Sequence, residues 1–245
     1  MAPRGTVASS EHARPDELLE RYQRTGSDAD FLNAKHAFEE VLAAQPDDAR
    51  LHLRYGFLYE IRARHHLRDA LGHYERAIQA DAADDKAHYQ LISARAALLE
   101  PEVAVARYEK RLQDTPDSVR EHRLLAAAYL AARAYTNALD VVARGLALDG
   151  ADARLVEFRG DARAGLGDSD GALKDWRRAL ELDSTTISAL YSTAFLHERD
   201  GRIDDAIAAW QEIIQWSRAR GFERDIQWPH DEIERLGGSA ARKGG

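Results

Sequence analysis

Residues 159–180, which read RGDARAGLGDSDGALKDWRRAL, contain the pattern that decides the fold. A small residue, Gly160, precedes a glycine-rich turn, and a second apolar run begins at Ala172. Trp176 and Leu180 follow Ala172 at intervals of four residues, so the three side chains lie on one face of a helix. The stretch therefore predicts two helices joined by a short turn. Ala172 is small where the helices approach closely, and Trp176 fills the adjoining space.

The same pattern recurs along the chain at a nearly constant spacing. Six alanines are separated by one gap of 36 residues and four gaps of 34, namely Ala34, Ala70, Ala104, Ala138, Ala172 and Ala206. A large residue follows each alanine after four positions, namely Phe38, Tyr74, Tyr108, Val142, Trp176 and Trp210. Self-similarity at this period is typical of stacked helical hairpins.

This pattern resembles the tetratricopeptide repeat (TPR) family over roughly residues 15–218. The segments 160–173 and 201–207 carry it most clearly, because each places a glycine five residues before the aligned alanine. The resemblance implies an all-α, right-handed superhelical solenoid of about six TPR-like helix-turn-helix repeats. We assign them to residues 15–48, 49–84, 85–118, 119–152, 153–186 and 187–218. The two extra residues of the second repeat are expected in a loop between Arg62 and Asp69.

Different structures are expected at the two ends of the repeat array. Residues 1–13 are expected to be disordered. Residues 219–237 are predicted to form a C-terminal cap with a short helix from Pro229 to Leu236, because terminal repeats need a polar cover. Residues 238–245 are expected to form a flexible tail.

Composition excludes several functional classes. The chain has no cysteine, so disulfides and thiolate chemistry are impossible. Its net charge of −8 argues against nucleic-acid binding, which needs a positive surface. No run approaches the roughly 20 apolar residues that cross a bilayer, and the first residues lack a secretory signal, so we expect no membrane insertion and a cytoplasmic location.

The sequence contains no recognisable catalytic motif. Nucleophile-elbow, phosphate-loop, dinucleotide-loop and zinc-protease patterns are all missing. His52, His88 and His122 occupy one column of three repeats, but helices about 8–10 Å apart cannot place such a column around one metal ion. We interpret them as packing residues and expect a non-enzymatic protein without cofactor or metal.

The resemblance implies that the first helix of each repeat lines a concave groove that binds partner proteins. The second residue of this helix is a cation in four repeats: Arg50, Lys86, Arg120 and Arg154. Either these form a basic track, with Arg54 and Arg123 nearby, or they are an ordinary solvated column. The aromatic candidates between them are Phe57, Tyr89, Phe158, Tyr191 and Phe195.

These residues predict a protein–protein interaction scaffold or adaptor whose groove binds a partner segment, and the basic track would make that segment acidic. The alternative is a regulatory, peptide-sensing TPR protein that changes curvature on binding its ligand. Homo-oligomerisation is compatible with both. The resemblance argues against a carboxylate clamp for chaperones, because the clamp positions hold residues such as Tyr89, Ser93 and Ala127 in place of lysine and asparagine.

Overall fold

The structure is a computed structural model that describes residues 13–222 and 226–243. Within these ranges the chain forms twelve α-helices and no strand, as the all-α prediction requires. The chain divides into two compact units, residues 1–98 and 99–245. No helix in the described ranges is both long and apolar enough to span a membrane.

The described part of unit 1, residues 13–98, contains four helices and an apolar core. They are α1 (Ala13–Thr25), α2 (Asp28–Ala44), α3 (Ala49–Ala80) and α4 (Asp85–Ala97). The core lies between α1, α2 and the first half of α3, and its buried residues include Leu19, Phe31, Phe38 and Leu58. After the short turn that follows Ala80, α4 packs against α3.

Unit 2 contains eight helices that pack in chain order, each against the next. They are α5 (Pro101–Asp114), α6 (Val119–Ala131), α7 (Tyr135–Leu148), α8 (Ala153–Gly165), α9 (Ser169–Leu182), α10 (Ile187–Arg199), α11 (Ile203–Ala219) and α12 (Gln227–Lys243). Ala104, Ala138 and Ala172 are fully buried, which confirms the close helix approach predicted at these positions.

Repeated local signals start and stop these helices. The side chains of Asp48, Asp84, Ser118 and Asp152 each accept a hydrogen bond from a backbone N–H in the first turn of α3, α4, α6 and α8. Such N-caps satisfy donors that a helix end leaves unpaired. Turns with a left-handed residue follow α4, α6, α8 and α10, at Leu99, Arg133, Gly167 and Gly201.

The predicted loop between Arg62 and Asp69 does not exist. Helix α3 is continuous from Ala49 to Ala80, a length of 32 residues that includes the expected loop. Residues 57–71 contain no glycine, proline or asparagine, the residues that most often end a helix. Contacts with α1 and α2 hold this stretch: the Arg62 guanidinium lies 3.9 Å from the Phe31 ring centre, and the His65 and Tyr22 rings are 5.5 Å apart.

The C-terminal helix is longer than predicted. Helix α12 passes through Gly237 and ends at Lys243, so the expected stop after Leu236 and the expected tail at 238–243 are wrong. A glycine in a helix costs about 1 kcal/mol, which weakens the helix but does not end it. Residues 1–12 and 244–245, which the predicted disordered segments include, lie outside the described residues.

Candidate functional site

Helices α6, α8 and α10 lie side by side in unit 2, because each contacts the next member of the series. They are the first helices of three predicted repeats. These helices carry six of the predicted groove residues, which we take as the candidate surface: Arg120, Arg123, Arg154, Phe158, Tyr191 and Phe195. The other five belong to unit 1, where α3 holds Arg50, Arg54 and Phe57 and α4 holds Lys86 and Tyr89.

Each arginine of this surface has a carboxylate beside it. Arg120 Nη1 lies 3.3 Å from Glu121 Oε1, and Arg123 Nε lies 3.7 Å from Asp152 Oδ2. Arg154 Nη1 donates a 2.7 Å hydrogen bond to Glu157 Oε2.

Two of these carboxylates, Glu121 and Glu157, are buried. A buried carboxylate is costly unless it is paired, so Arg120 and Arg154 stabilise the fold as well as facing the surface. Arg111 adds a bidentate pair to Glu121, with N–O distances of 2.8 and 2.7 Å.

The basic residues of unit 1 follow a similar pattern. Arg54 Nε donates a 2.8 Å hydrogen bond to Asp16 Oδ1, and Arg50 lies 3.7 Å from the other oxygen of the same carboxylate. Lys86 is exposed and Tyr89 is half-buried. Phe57 is half-buried and packs against the core between α1 and α2.

The aromatic residues of unit 2 divide into packing and surface residues. Phe158 is buried beneath Arg154. Tyr191 stacks on Trp228 of α12 at 5.5 Å between ring centres, and Phe195 lies 5.9 Å from Trp228. Phe195 and Trp228 remain 46% and 47% exposed. They form an aromatic surface cluster beside an open cavity of about 750 Å³, which Tyr191, Trp216 and Phe222 line.

A carboxyl group that sequence reasoning missed lies on the same helices. Asp161 of α8 accepts a 2.9 Å hydrogen bond from Trp176 Nε1 and lines a smaller cavity of about 260 Å³ with Ser192, Phe195 and Arg199. Burial raises the pKa of Asp161 to about 7, and the nearby negative charge of Glu157 adds to the shift. Burial also raises the pKa of Glu157.

Two further arginines of α8 form ion pairs within unit 2. Arg159 donates two hydrogen bonds to Asp175, of 3.0 and 2.7 Å, and Arg163 Nη1 donates a third of 2.7 Å. Asp175 is buried, and its two oxygens receive all three bonds. In the sequence, this network shows only as two arginines four residues apart in α8, Arg159 and Arg163, and an aspartate in α9.

The histidine column makes backbone contacts. A ring nitrogen of each histidine lies within hydrogen-bonding distance of a carbonyl oxygen: Pro46 for His52 at 2.7 Å, Ala82 for His88 at 3.2 Å and Ser118 for His122 at 2.9 Å. His88 and His122 are buried, as the packing interpretation expects, whereas His52 is exposed.

Comparison with known proteins identifies the fold. No protein-family model matches the sequence, and no curated protein matches it. Among solved structures, the chain is similar to TTC0263, a thermophilic TPR protein of Thermus thermophilus, with 23% identity and a TM-score of 0.56 over 75% of this chain and 95% of that one. The chain therefore has the TPR fold that the residue pattern predicted.

Two further solved structures align over most of the chain at lower scores. A TPR protein from Parabacteroides merdae has 15% identity and a TM-score of 0.48, covering 91% of this chain and 93% of its own. MamA from Desulfovibrio magneticus RS-1 has 20% identity and a TM-score of 0.45, covering 89% of this chain and 98% of its own.

Proposed function

We propose that this protein is a non-catalytic scaffold that binds an extended segment of a partner protein across α6, α8 and α10 of unit 2. The observation that carries the proposal is the aromatic surface cluster. Phe195 and Trp228 are each nearly half exposed and lie side by side, and Phe195 belongs to the same helix series as the arginine row of Arg120, Arg123 and Arg154. Exposed apolar clusters with a polar rim mark interaction sites.

The cluster has the composition of an interface hot spot. Tryptophan, tyrosine and arginine dominate the binding energy of protein interfaces because they bury much area and form directional contacts. The Tyr191 ring stacks on the Trp228 ring and restricts its orientation. An apolar side chain of the partner that enters the adjoining cavity would remove the rings from water with little cost in side-chain ordering.

The arginine row favours carboxylates in the remainder of the segment. The side chain of Arg154 is 42% exposed while it pairs with Glu157. Its positive charge can therefore attract a carboxylate of the partner to this surface. The proposed segment contains acidic residues that contact Arg123 and Arg154 and an apolar residue that contacts Phe195 and Trp228.

A displayed library of random peptides tests this proposal even though the partner is unidentified. Selection on the wild-type protein should enrich peptides that combine aspartate or glutamate with a large apolar residue. Phe195→Ala and Arg154→Gln should each weaken binding of the selected peptides at least tenfold, as measured by fluorescence anisotropy. Binding should also weaken as salt rises, because the Debye length shrinks from about 10 Å at 0.1 M to about 3 Å at 1 M.

A matched control separates this surface from general apolar adhesion. Leu166 lies in the turn after α8 and is more than half exposed, comparable with Phe195. Leu166→Ala should leave the affinity unchanged. Equal affinities of the wild type, Phe195→Ala and Arg154→Gln would assign binding to another surface. Enrichment of basic peptides would contradict the acidic part of the proposal alone.

A further inference from the structure

The second predicted repeat departs from the hairpin geometry of the others. Left-handed residues turn the chain at Leu99, Arg133, Gly167 and Gly201, each 34 residues after the last. In α3 the chain passes the corresponding position, Ala63, as a continuous helix. The segment 70–80 therefore points away from 49–62, although the sequence pattern pairs the two.

The two segments that the sequence pattern pairs, 49–62 and 70–80, are both incompletely packed. The aligned alanine and large residue of the other five repeats are all buried, as Ala172 and Trp176 are. In α3 the equivalent residues, Ala70 and Tyr74, are only half-buried.

The first half of α3 also lacks a packing partner, at Gly56. A Cβ at the equivalent Gly160 would lie 2.6 Å from the Trp176 ring, whereas a Cβ at Gly56 would have no neighbour within 4 Å. At about 1.5 Å rise per residue, Tyr74 lies about 27 Å from Gly56 along the helix.

The uncovered side of α3 is an apolar depression. It has a volume of about 510 Å³ and is lined by His52, Leu53, Arg54, Gly56, Phe57 and Glu60. Leu53 is 73% exposed. This is the side on which the second helix of the repeat packs in the α8–α9 hairpin.

We propose that a second copy of this chain covers the depression, by placing its residues 70–97 on residues 49–62 of the first. The exchange is reciprocal and gives a domain-swapped dimer with twofold symmetry. The occupant follows from the sequence: residues 70–80 carry Ala70 and Tyr74, which match the Ala172 and Trp176 that pack on Gly160 of α8. While α3 is continuous, the chain's own segment cannot reach this surface, but an identical segment of another molecule can.

The connecting stretch favours the open arrangement. It is two residues longer than in the regular hairpins and contains no glycine, proline or asparagine. Arg62 and His65 dock on α1 and α2, which fixes the direction in which the helix leaves the core. Each half of the dimer regains a complete second repeat without any change in the helices themselves.

Cysteine cross-linking tests the exchange directly, because the natural chain has no cysteine. Gly56→Cys and Ala70→Cys are placed in the same chain. In the α8–α9 hairpin a Cβ at the equivalent Gly160 would lie 3.2 Å from the carbonyl oxygen of Ala172, so the two positions are close enough for a disulfide. Within one continuous helix they are about 21 Å apart.

The proposal expects a covalent dimer on a non-reducing gel after mild oxidation. Singly substituted Gly56→Cys and Ala70→Cys chains that are refolded together should form the same dimer through one disulfide. Light scattering on the wild type should give twice the monomer mass of 27.4 kDa. Gly56→Cys with Arg76→Cys is the control that should not cross-link, because Arg76 is exposed on another face of α3.

Two outcomes overturn the proposal. A disulfide confined to one chain, seen as a faster-moving monomer, would show that the hairpin closes within the molecule. A monomeric wild type without cross-linking would show that the depression stays open to solvent. Circular dichroism that matches the wild type confirms that each variant is folded.

Discussion

The indole ring of Trp176 lies directly over the Cα of Gly160, where a Cβ would be 2.6 Å from ring atoms Cδ1 and Nε1. This approach brings the indole N–H to Asp161 on the same helix, at 2.9 Å. Glycine is therefore needed at this position for packing, since it lies in a regular helix where its backbone freedom is otherwise unfavourable.

Gly160→Ala should destabilise unit 2 by about 1–3 kcal/mol, because overpacking the helix pair exceeds the gain in helix propensity. Gly237→Ala is the control, since Gly237 also lies in a helix of unit 2 and a Cβ there meets nothing within 4 Å. This control should be neutral or stabilising by about 1 kcal/mol. All four tryptophans lie in unit 2, so urea unfolding followed by tryptophan fluorescence reports this unit. Equal effects of both substitutions would contradict the packing argument.

Backbone strain at Arg133 gives a stabilising substitution. Arg133 has φ +57 in the turn between α6 and α7, a conformation that costs an L-residue about 1–2 kcal/mol. Arg133→Gly should raise the free energy of unfolding by about 0.5–1 kcal/mol, because the greater freedom of the unfolded chain offsets part of the gain.

The equivalent turn of the next repeat provides the reverse experiment. Gly167 has φ +88 and open space around its Cα. Gly167→Ala should therefore cost about 1 kcal/mol through the backbone alone. If both substitutions destabilise unit 2, the Arg133 side chain contributes more than its strained backbone costs.

Helix α12 should act as the cover of the last repeat. Leu236 is buried in a cluster with Trp210 and Ile213 of α11. Leu236→Ala should cost about 2–5 kcal/mol, the usual range for a buried leucine. Glu234→Ala, on the exposed side of the same helix, should change stability by less than about 0.5 kcal/mol. Similar unfolding midpoints for these two variants would show that α12 is not a structural cap.

The repeat and its packing could be predicted because they depend on residue size and spacing. Ala172 and Trp176 repeat at a fixed interval, and small and large residues have only one arrangement that fills the space between two helices. The continuity of α3 could not be predicted in the same way. Non-glycine residues turn the chain at Leu99 and Arg133, so the lack of glycine near Ala63 did not decide between a turn and a helix.

The sequence shows where the arginines of the candidate site recur but not which residues they pair with. The column containing Arg120 and Arg154 was visible in the sequence, whereas Glu121 and Glu157 resemble ordinary surface acids of a helix. Only the folded arrangement shows that both acids are buried. Reversing the charge of Arg120 would place two carboxylates together, and Arg154→Gln removes the partner of buried Glu157, so the stability of each binding variant is measured by urea unfolding before its affinity is compared.

Asp161 should make the stability of unit 2 fall as the pH rises from about 4 to 7. Burial raises its pKa from the ordinary 3.8 to about 7, so between these values the folded chain holds a proton that the unfolded chain has lost. The stabilising contribution of this group is fully present below 3.8, the pKa in the unfolded chain, and is lost as the pH rises to about 7, the pKa in the folded chain.

Asp161→Asn should remove this part of the pH dependence, since an amide cannot ionise and its oxygen still accepts the hydrogen bond from Trp176. Above pH 7 the variant should be more stable than the wild type by up to about 4 kcal/mol, the free energy that corresponds to a shift of about three pKa units. Near pH 4 the two should be similar. Urea unfolding at several pH values measures the difference, and Asp140→Asn, at an exposed position of α7, is the control that should follow the wild type.

Parallel pH profiles for the wild type and Asp161→Asn would show that this carboxyl ionises as readily in the folded chain as in the unfolded one. The indole of Trp176 would then donate to a charged carboxylate that water still reaches through the adjoining cavity.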